Sequence, residues 1–148
     1  LRNKNLKNVE FHSIGDVDQE SALSFDVNHG YLSGDSYFEA LCKTDIFVYS
    51  SLQDGFPAPP LEAAACGCSL VTTLVPGVDE WAIDGVNSLT VSPGDVSGMV
   101  KGVERLLNDK NLMNGLSNAG VKVADRYSWS KQTDKLLDYV EELVKDKV

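Results

Sequence analysis

Two carboxylates, Asp54 and Glu62, lie eight positions apart around a loop of unusual composition. The stretch DGFPAPPLE places a glycine, an aromatic residue and three prolines between them. A carboxylate can accept two hydrogen bonds from vicinal hydroxyls, the geometry that a ribose or hexose ring presents. Proline has no N–H to lose and a preset φ, so it suits the first turn of a helix. The pattern therefore predicts two acids placed around the entrance of a helix.

The start of that helix could also accept a phosphate. Pro59 and Pro60 are predicted to begin it, and the amides after them, with the positive end of the helix dipole, favour a negative ligand. Gly55 has no side chain, which lets the backbone come close to a ligand. The two carboxylates would then straddle a phosphate-accepting turn, as a sugar-phosphate ligand requires.

Strand and helix patterns alternate along the chain, which predicts a doubly wound, Rossmann-like α/β fold with a parallel sheet. The apolar run DIFVYSS, directly before the loop, is typical of a strand covered on both faces. Ligands bind at the carboxyl ends of such strands, where the loop lies. Gly67 is predicted to end the next helix as a left-handed cap, and apolar residues at helical spacing predict another helix over 96–107. A last helix, from about Ser130, carries an apolar stripe of Leu136, Leu137, Val140, Leu143 and Val144.

Composition limits the classes of function. The 148 residues suffice for one domain with a core, and a formal net charge of −9 disfavours a nucleic-acid partner. No apolar run approaches the roughly 20 residues that span a bilayer, so direct membrane insertion is not expected. Three cysteines without CxxC spacing argue against a disulfide framework and favour a reducing, cytoplasmic compartment. Small buried thiols are favoured over a metal site at Cys66 and Cys68, since neither His12 nor His29 lies at a ligand-like spacing.

The stretch SSLQDGFPAPPLEAAACGCSLVTT resembles the donor-binding signature of the family-four retaining glycosyltransferases of the GT-B fold. The similarity continues through PGVDEWAIDGVNSLTVSPGD and ends at YSWSKQ, covering roughly residues 29–140. It implies that residues 1–148 form the C-terminal, nucleotide-sugar-binding domain of a metal-independent retaining glycosyltransferase without a further cofactor. The resemblance implies a UDP- or GDP-linked hexose as donor. The acceptor would be a saccharide or a lipid-linked molecule, as in polysaccharide biosynthesis.

The resemblance also implies roles for individual residues. Glu62 would bind the ribose hydroxyls of the nucleotide. Asp54 would contact the donor sugar and stabilise charge at its anomeric carbon, so both acids are candidate catalytic residues. Gly15, at the end of its strand, would let the nucleotide base approach. The remaining residues of the donor site would come from the loop and the helix start: Ser51, Gly55, Phe56, Pro57 and Leu61.

Departures from the family pattern leave a second function open. The first acid of the family's Glu-x7-Glu pair is Asp54 here, Ser88 stands where glycine is usual, and Ser50 stands where proline is frequent. Nothing in the sequence resembles the first strand-and-helix unit, which brings an Arg and a Lys to the donor diphosphate. We therefore expect half of a two-domain enzyme, whose terminal helix, 130–148, packs on an absent N-terminal domain. Any contact with the inner face of a membrane would be peripheral, through that domain. The alternative is a non-catalytic nucleotide- or protein-binding module.

Two further classes fit the residues less well. The acids of a two-carboxylate hydrolase flank the scissile bond from opposite sides, whereas these lie on one loop-and-helix turn. A phosphoacceptor domain of flavodoxin-like topology needs an acidic cluster and a strand-end Asp–Lys arrangement, and neither is apparent. Trp81 and Trp129 are interpreted as packing residues. His12 is interpreted as a structural residue, and His29 as part of a loop.

Overall fold

The computed structural model describes residues 8–145, so the last three residues of the helix expected over 130–148 lie outside it. All the strand pairs of the described chain are parallel, which confirms the α/β class. In chain order the elements are β1 (His12–Ser13), α1 (Gln19–Ala22), β2 (Val27–Asn28), α2 (Asp35–Cys42), β3 (Ile46–Tyr49), α3 (Ala58–Ala65), β4 (Ser69–Thr73), β5 (Leu89–Val91), α4 (Val96–Asn108), α5 (Lys110–Arg126) and α6 (Trp129–Lys145).

The chain divides into two compact units, residues 1–40 and 41–148. In the described part of the first, β1 and β2 form a two-stranded parallel sheet. The short helix α1 between them was not predicted. The residue in the sequence that indicates this helix is Asp18, a favourable N-cap. Its side chain accepts hydrogen bonds from the Glu20 and Ser21 amides at 3.0 and 2.9 Å.

The second unit contains a three-stranded parallel sheet in the order β3–β4–β5. α3 and α5 pack on each other and on β4, while α4 packs on β4 and β5. β4 therefore lies in the middle, and all five of its residues are buried. β3 is less enclosed, since Val48 is 43% exposed. The expectation that β3 is covered on both faces is wrong at Val48, and the fully buried strand of this sheet is its neighbour β4.

Gly67 ends α3 as predicted, with φ at +88°. Its N–H donates to the Ala64 carbonyl at 3.0 Å, and the next amide, of Cys68, donates to the Ala63 carbonyl at 3.0 Å. These bonds satisfy carbonyls that the end of a helix leaves unpaired. The turn leads directly into β4, so the end of α3 and the start of the central strand are held together.

Residues 74–88, all of them described, connect β4 to β5 through turns. The buried Asn87 organises this connection. Its side-chain amide donates to the Trp81 carbonyl at 2.7 Å, and its side-chain oxygen accepts from the Ile83 N–H at 2.7 Å. Trp81 is itself buried, in agreement with its predicted packing role.

The last two long helices differ in how they pack. α5 buries one side in the core, whereas α6 has no buried residue. The predicted apolar stripe of α6 is 45–61% exposed along its length. Trp129 is 90% exposed, so its interpretation as a packing residue is wrong: it begins a helix that this unit does not cover. The packing of this stripe on a further domain stays a prediction. Within residues 8–145, no helix is both long and apolar enough to cross a bilayer.

Candidate functional site at the carboxyl end of the sheet

Asp54 is held at the carboxyl end of β3 by the last residue of that strand. The Tyr49 hydroxyl donates to Asp54 Oδ2, and the Gly55 N–H donates to Oδ1 at 2.7 Å. Burial, together with the bond to this carboxylate, raises the pKa of Tyr49, so the phenol keeps its proton and remains a donor. Two donors therefore orient the half-buried carboxylate.

The segment before Asp54 is anchored to the neighbouring strand. Thr73, the last residue of β4, donates from its hydroxyl to the Ser51 carbonyl at 2.7 Å. The Ser51 hydroxyl in turn donates to the Gln53 carbonyl at 2.9 Å. Because β3 and β4 are parallel, their last residues meet at one edge of the sheet and hold the loop there.

Gly77 braces the same loop from the β4–β5 connection, a contact that the sequence did not reveal. With φ at +80°, Gly77 lies so close to the loop that a Cβ would meet the Gly55 carbonyl oxygen at 2.0 Å and Phe56 Cα at 2.7 Å. The only signal in the sequence was the dipeptide Pro76-Gly77, which marks a turn but not what the turn touches. Gly77 is therefore a positioning residue for the backbone of the loop.

We expect Gly77→Ala to destabilise the unit and to displace the loop. The left-handed backbone costs a non-glycine residue roughly 1–2 kcal/mol, and forcing a methyl group into a packed site adds typically about 1–3 kcal/mol. Gly94→Ala is the matched control: it also follows a proline and has φ at +81°, but a Cβ there meets nothing within 4 Å. Urea denaturation of both variants separates the two costs. Equal losses of unfolding free energy would contradict the bracing role of Gly77.

Phe56 connects the loop to the end of α5. Its ring lies 5.6 Å from the ring of Tyr127, with the planes tilted by 44°, within the usual range for an aromatic pair. Tyr127 is the residue that ends α5 and opens the YSW segment. Phe56 remains 47% exposed, so one part of its ring packs while another part is accessible. Pro57, by contrast, is buried.

α3 begins at Ala58, one residue earlier than predicted, with Pro57 as its N-cap. The first four amide positions of a helix have no partner inside the helix, and here prolines occupy three of them, at Pro57, Pro59 and Pro60. Only Ala58 has an N–H among these four. The start of the helix therefore offers a phosphate only the helix dipole and one amide, which is fewer donors than the sequence predicts.

Glu62 and Leu61 lie on the second turn of α3 in different surroundings. Leu61 is buried in the core, so only its backbone could meet a ligand. Glu62 is half-buried. The Glu62 carboxylate also contributes, after burial and the Cys42 thiol, to raising the pKa of Cys66 one turn further along the helix.

Gly15 belongs to the first unit, where it follows β1. Its N–H donates to the Gly30 carbonyl at 2.7 Å, its φ is +107°, and a Cβ would meet nothing within 4 Å. Its proximity to a nucleotide base stays a prediction. His12 and His29 of the same unit contact each other, with Nδ1 of the first 3.0 Å from Nε2 of the second.

The cysteines and acids give no metal-binding arrangement in the described chain. Across residues 8–145, no three His, Cys, Asp or Glu side chains come together in a way that could hold a metal ion. Cys68 is buried, as predicted from the sequence, whereas Cys66 is partly exposed. The independence of the reaction from a metal stays a prediction.

Comparison with known proteins finds sequence relatives among the glycosyltransferases. The chain is 28% identical over 102 residues to an uncharacterized glycosyltransferase of Methanocaldococcus jannaschii, a match over 69% of this chain and 29% of that protein. It is 28% identical over 111 residues to the serotype-specific mannosyltransferase WbdA of Escherichia coli, over 74% of this chain and 13% of that protein. The matched region thus spans less than a third of either relative.

The fold of the chain is also similar to that of solved structures. The crystal structure of HepE from Anabaena in complex with UDP superimposes with a TM-score of 0.80 at 15% identity, over 94% of this chain and 42% of that one. The structural neighbours are GT-B glycosyltransferases, as the motifs implied. The family profile of Glycosyl transferases group 1 matches residues 1–109. The motif resemblance is confirmed, and the chain belongs to the group 1 glycosyltransferase family.

Proposed function

We propose that this chain binds the donor of a cytoplasmic retaining glycosyltransferase that uses a UDP- or GDP-linked hexose without a metal ion. The acceptor is a saccharide or a lipid-linked molecule. The observation that carries the proposal is the fixed orientation of Asp54, which Tyr49 and the Gly55 amide hold at the carboxyl end of β3. Such preorganisation suits a group that acts on charge developing in a transition state.

The names of related proteins support the class of donor. The structural neighbour HepE has been crystallised with UDP and with UDP-glucose, and WbdA is a mannosyltransferase. Between the two possible bases, the HepE complexes favour uridine. We therefore propose UDP-linked hexoses as the first donors to test.

The two acids, Asp54 and Glu62, have different roles in the proposed reaction. As the bond from the anomeric carbon to the diphosphate lengthens, positive charge develops on the sugar, and the Asp54 carboxylate stabilises it. The acceptor oxygen bonds to the same face of that carbon, and the acceptor proton leaves with the nucleoside diphosphate. Glu62 holds the ribose hydroxyls and so fixes the position of the donor. Because α3 offers only one free amide at its start, further donors must offset the charge of the diphosphate.

A non-catalytic nucleotide-binding module is the second candidate. It is favoured by the first acid of the pair, which is Asp54 where the family usually has Glu, so that its carboxylate is carried on a side chain one methylene shorter. The two candidates agree on nucleotide binding and differ on turnover. Transfer of labelled hexose by the full-length protein, dependent on Asp54, supports the enzyme. Binding without transfer to any saccharide or lipid-linked acceptor supports the module.

NMR titration of the chain with UDP and GDP tests the donor site. We expect shifts of the amides between Gly55 and Glu62, larger for UDP, and an affinity in the millimolar range, because the chain carries a net charge of −9. Inorganic pyrophosphate is the control for binding through phosphates alone. Unchanged amides over this segment at millimolar nucleotide would remove the donor-site assignment.

A further inference from the structure

A cavity lies at the amino ends of the strands of the three-stranded sheet, opposite the end at which the Asp54 loop lies. It has a volume of about 200 Å³ and is located at the amino ends of β3 and β4, where Asp45 precedes one strand and Ser69 begins the other. The C-terminal ends of α2 and α3 contribute Cys42 and Cys66 to its lining. Two of the three cysteines of the chain therefore open into one space.

These two thiols interact with each other. The pKa of Cys66 is raised to about 11, mainly by burial. A hydrogen bond with Cys42 contributes next, and the negative charges of Cys42 and Glu62 add smaller effects. Cys42 is exposed and Cys66 is partly exposed, so a small reagent can reach Cys42 first. An accessible thiol with a second thiol within hydrogen-bonding reach is the arrangement of an attacking and a resolving cysteine.

Cys68 is different, although it is only two positions from Cys66. It is fully buried, its thiol donates to the Leu41 carbonyl at 3.3 Å, and its pKa is raised to about 12, mainly by burial. A fully buried thiol is out of reach of a reagent, whereas Cys66 is partly exposed, so Cys68 is inert in the folded chain. The three cysteines therefore comprise one neighbouring pair, Cys42 and Cys66, and one core residue, Cys68.

We propose that Cys42 and Cys66 form a dithiol site that low-molecular-weight disulfides oxidise reversibly. The Cys42 thiolate attacks one sulfur of the reagent, forming a mixed disulfide and releasing one thiol. The Cys66 sulfur, after losing its proton to solvent, then attacks Cys42 Sγ and releases the second thiol. Two protein thiols are oxidised and one external disulfide is reduced to two thiols. The product joins the ends of α2 and α3 across the cavity.

Mass spectrometry of the folded chain after treatment with glutathione disulfide tests this proposal. We expect the loss of two hydrogens, reversed by excess reduced glutathione. Trypsin places Cys42 on the peptide 8–43 and Cys66 on the peptide 44–101, so the bridge appears as a cross-link between these two. Neither the reagent nor the readout involves Asp54 or Glu62, so the result is independent of the proposed transferase function.

Matched variants assign the bridge. Cys68→Ala should retain the cross-link, although it shares a tryptic peptide with Cys66. Cys66→Ala should lose it and stop at the glutathione adduct of Cys42. Cys42→Ala, which changes an exposed side chain with little risk to folding, should remain largely unmodified. A wild-type chain that stops at the adduct or does not react overturns the proposal, as does a cross-link that persists without Cys66 or disappears without Cys68.

Discussion

Replacing Asp54 by Asn should lower the turnover of the full-length protein by about 100- to 1,000-fold, or about 2.7–4 kcal/mol, the scale for loss of one preorganised polar group from an active site. Nucleotide binding should change far less. An interaction made mainly in the transition state is lost from kcat, whereas one made equally with the bound substrate is lost from KM.

The structure makes this substitution a specific test of charge. Asn is close in shape to Asp, and its side-chain oxygen can accept the Gly55 N–H as Oδ1 does now. Its NH2 group would then face the Tyr49 hydroxyl, which can reverse its role and accept. Both contacts are kept while the negative charge is removed, so a fall in kcat reports the charge itself.

Two variants control this result. Tyr49→Phe removes the donor to Asp54 Oδ2 but keeps the carboxylate, and should lower kcat less than Asp54→Asn does. Asp54→Glu, which introduces the residue usual in the resembled motif, should be tolerated. The assigned role would be refuted by an inactive Asp54→Glu protein alongside an active Asp54→Asn protein.

Replacing Glu62 by Ala should weaken nucleotide binding by about 1.5–3 kcal/mol, the usual contribution of a hydrogen bond to a charged group. This corresponds to a rise in Kd of about 10- to 150-fold. Alanine is the best helix former, so α3 should persist in the variant, and circular dichroism checks that it does. Calorimetric titration of the full-length protein with UDP measures the loss, because a further weakening of the millimolar affinity expected of this chain would lie out of range.

A second ligand shows whether Glu62 acts on the ribose. Wild-type protein should bind UDP more tightly than 2′,3′-dideoxy-UDP, and Glu62→Ala should lose most of that preference, as expected when two groups are coupled in a double-mutant cycle. A hexose 1-phosphate, which has no ribose, should bind both proteins alike. An equal loss of affinity for that ligand would contradict the ribose role and indicate a general effect on the pocket.

The sequence alone determined those features that depend on local chemistry. The helix over 96–107 follows from apolar residues at helical spacing, and α4 forms there with Met99, Val103 and Leu106 buried. The cap at Gly67 follows from the left-handed backbone that glycine adopts without strain. The position of the loop after an apolar strand follows from parallel α/β architecture. These features require information from only a few neighbouring residues.

The tertiary structure decided everything that depends on which distant segments meet. DIFVYSS and SLVTT are both apolar, but only the order of the strands shows that β4 is central and β3 is not. The contact of Gly77 with the Gly55 backbone joins segments more than 20 positions apart, and no local pattern encodes it. The prolines at the start of α3 are visible in the sequence, yet the number of unpaired N–H groups that they remove depends on the residue at which the helix begins. Periodicity indicates which element a residue belongs to, whereas long-range contacts are set by the packing of elements on one another. The contacts of Thr73 and Gly77 with the loop around Asp54 are of this second kind.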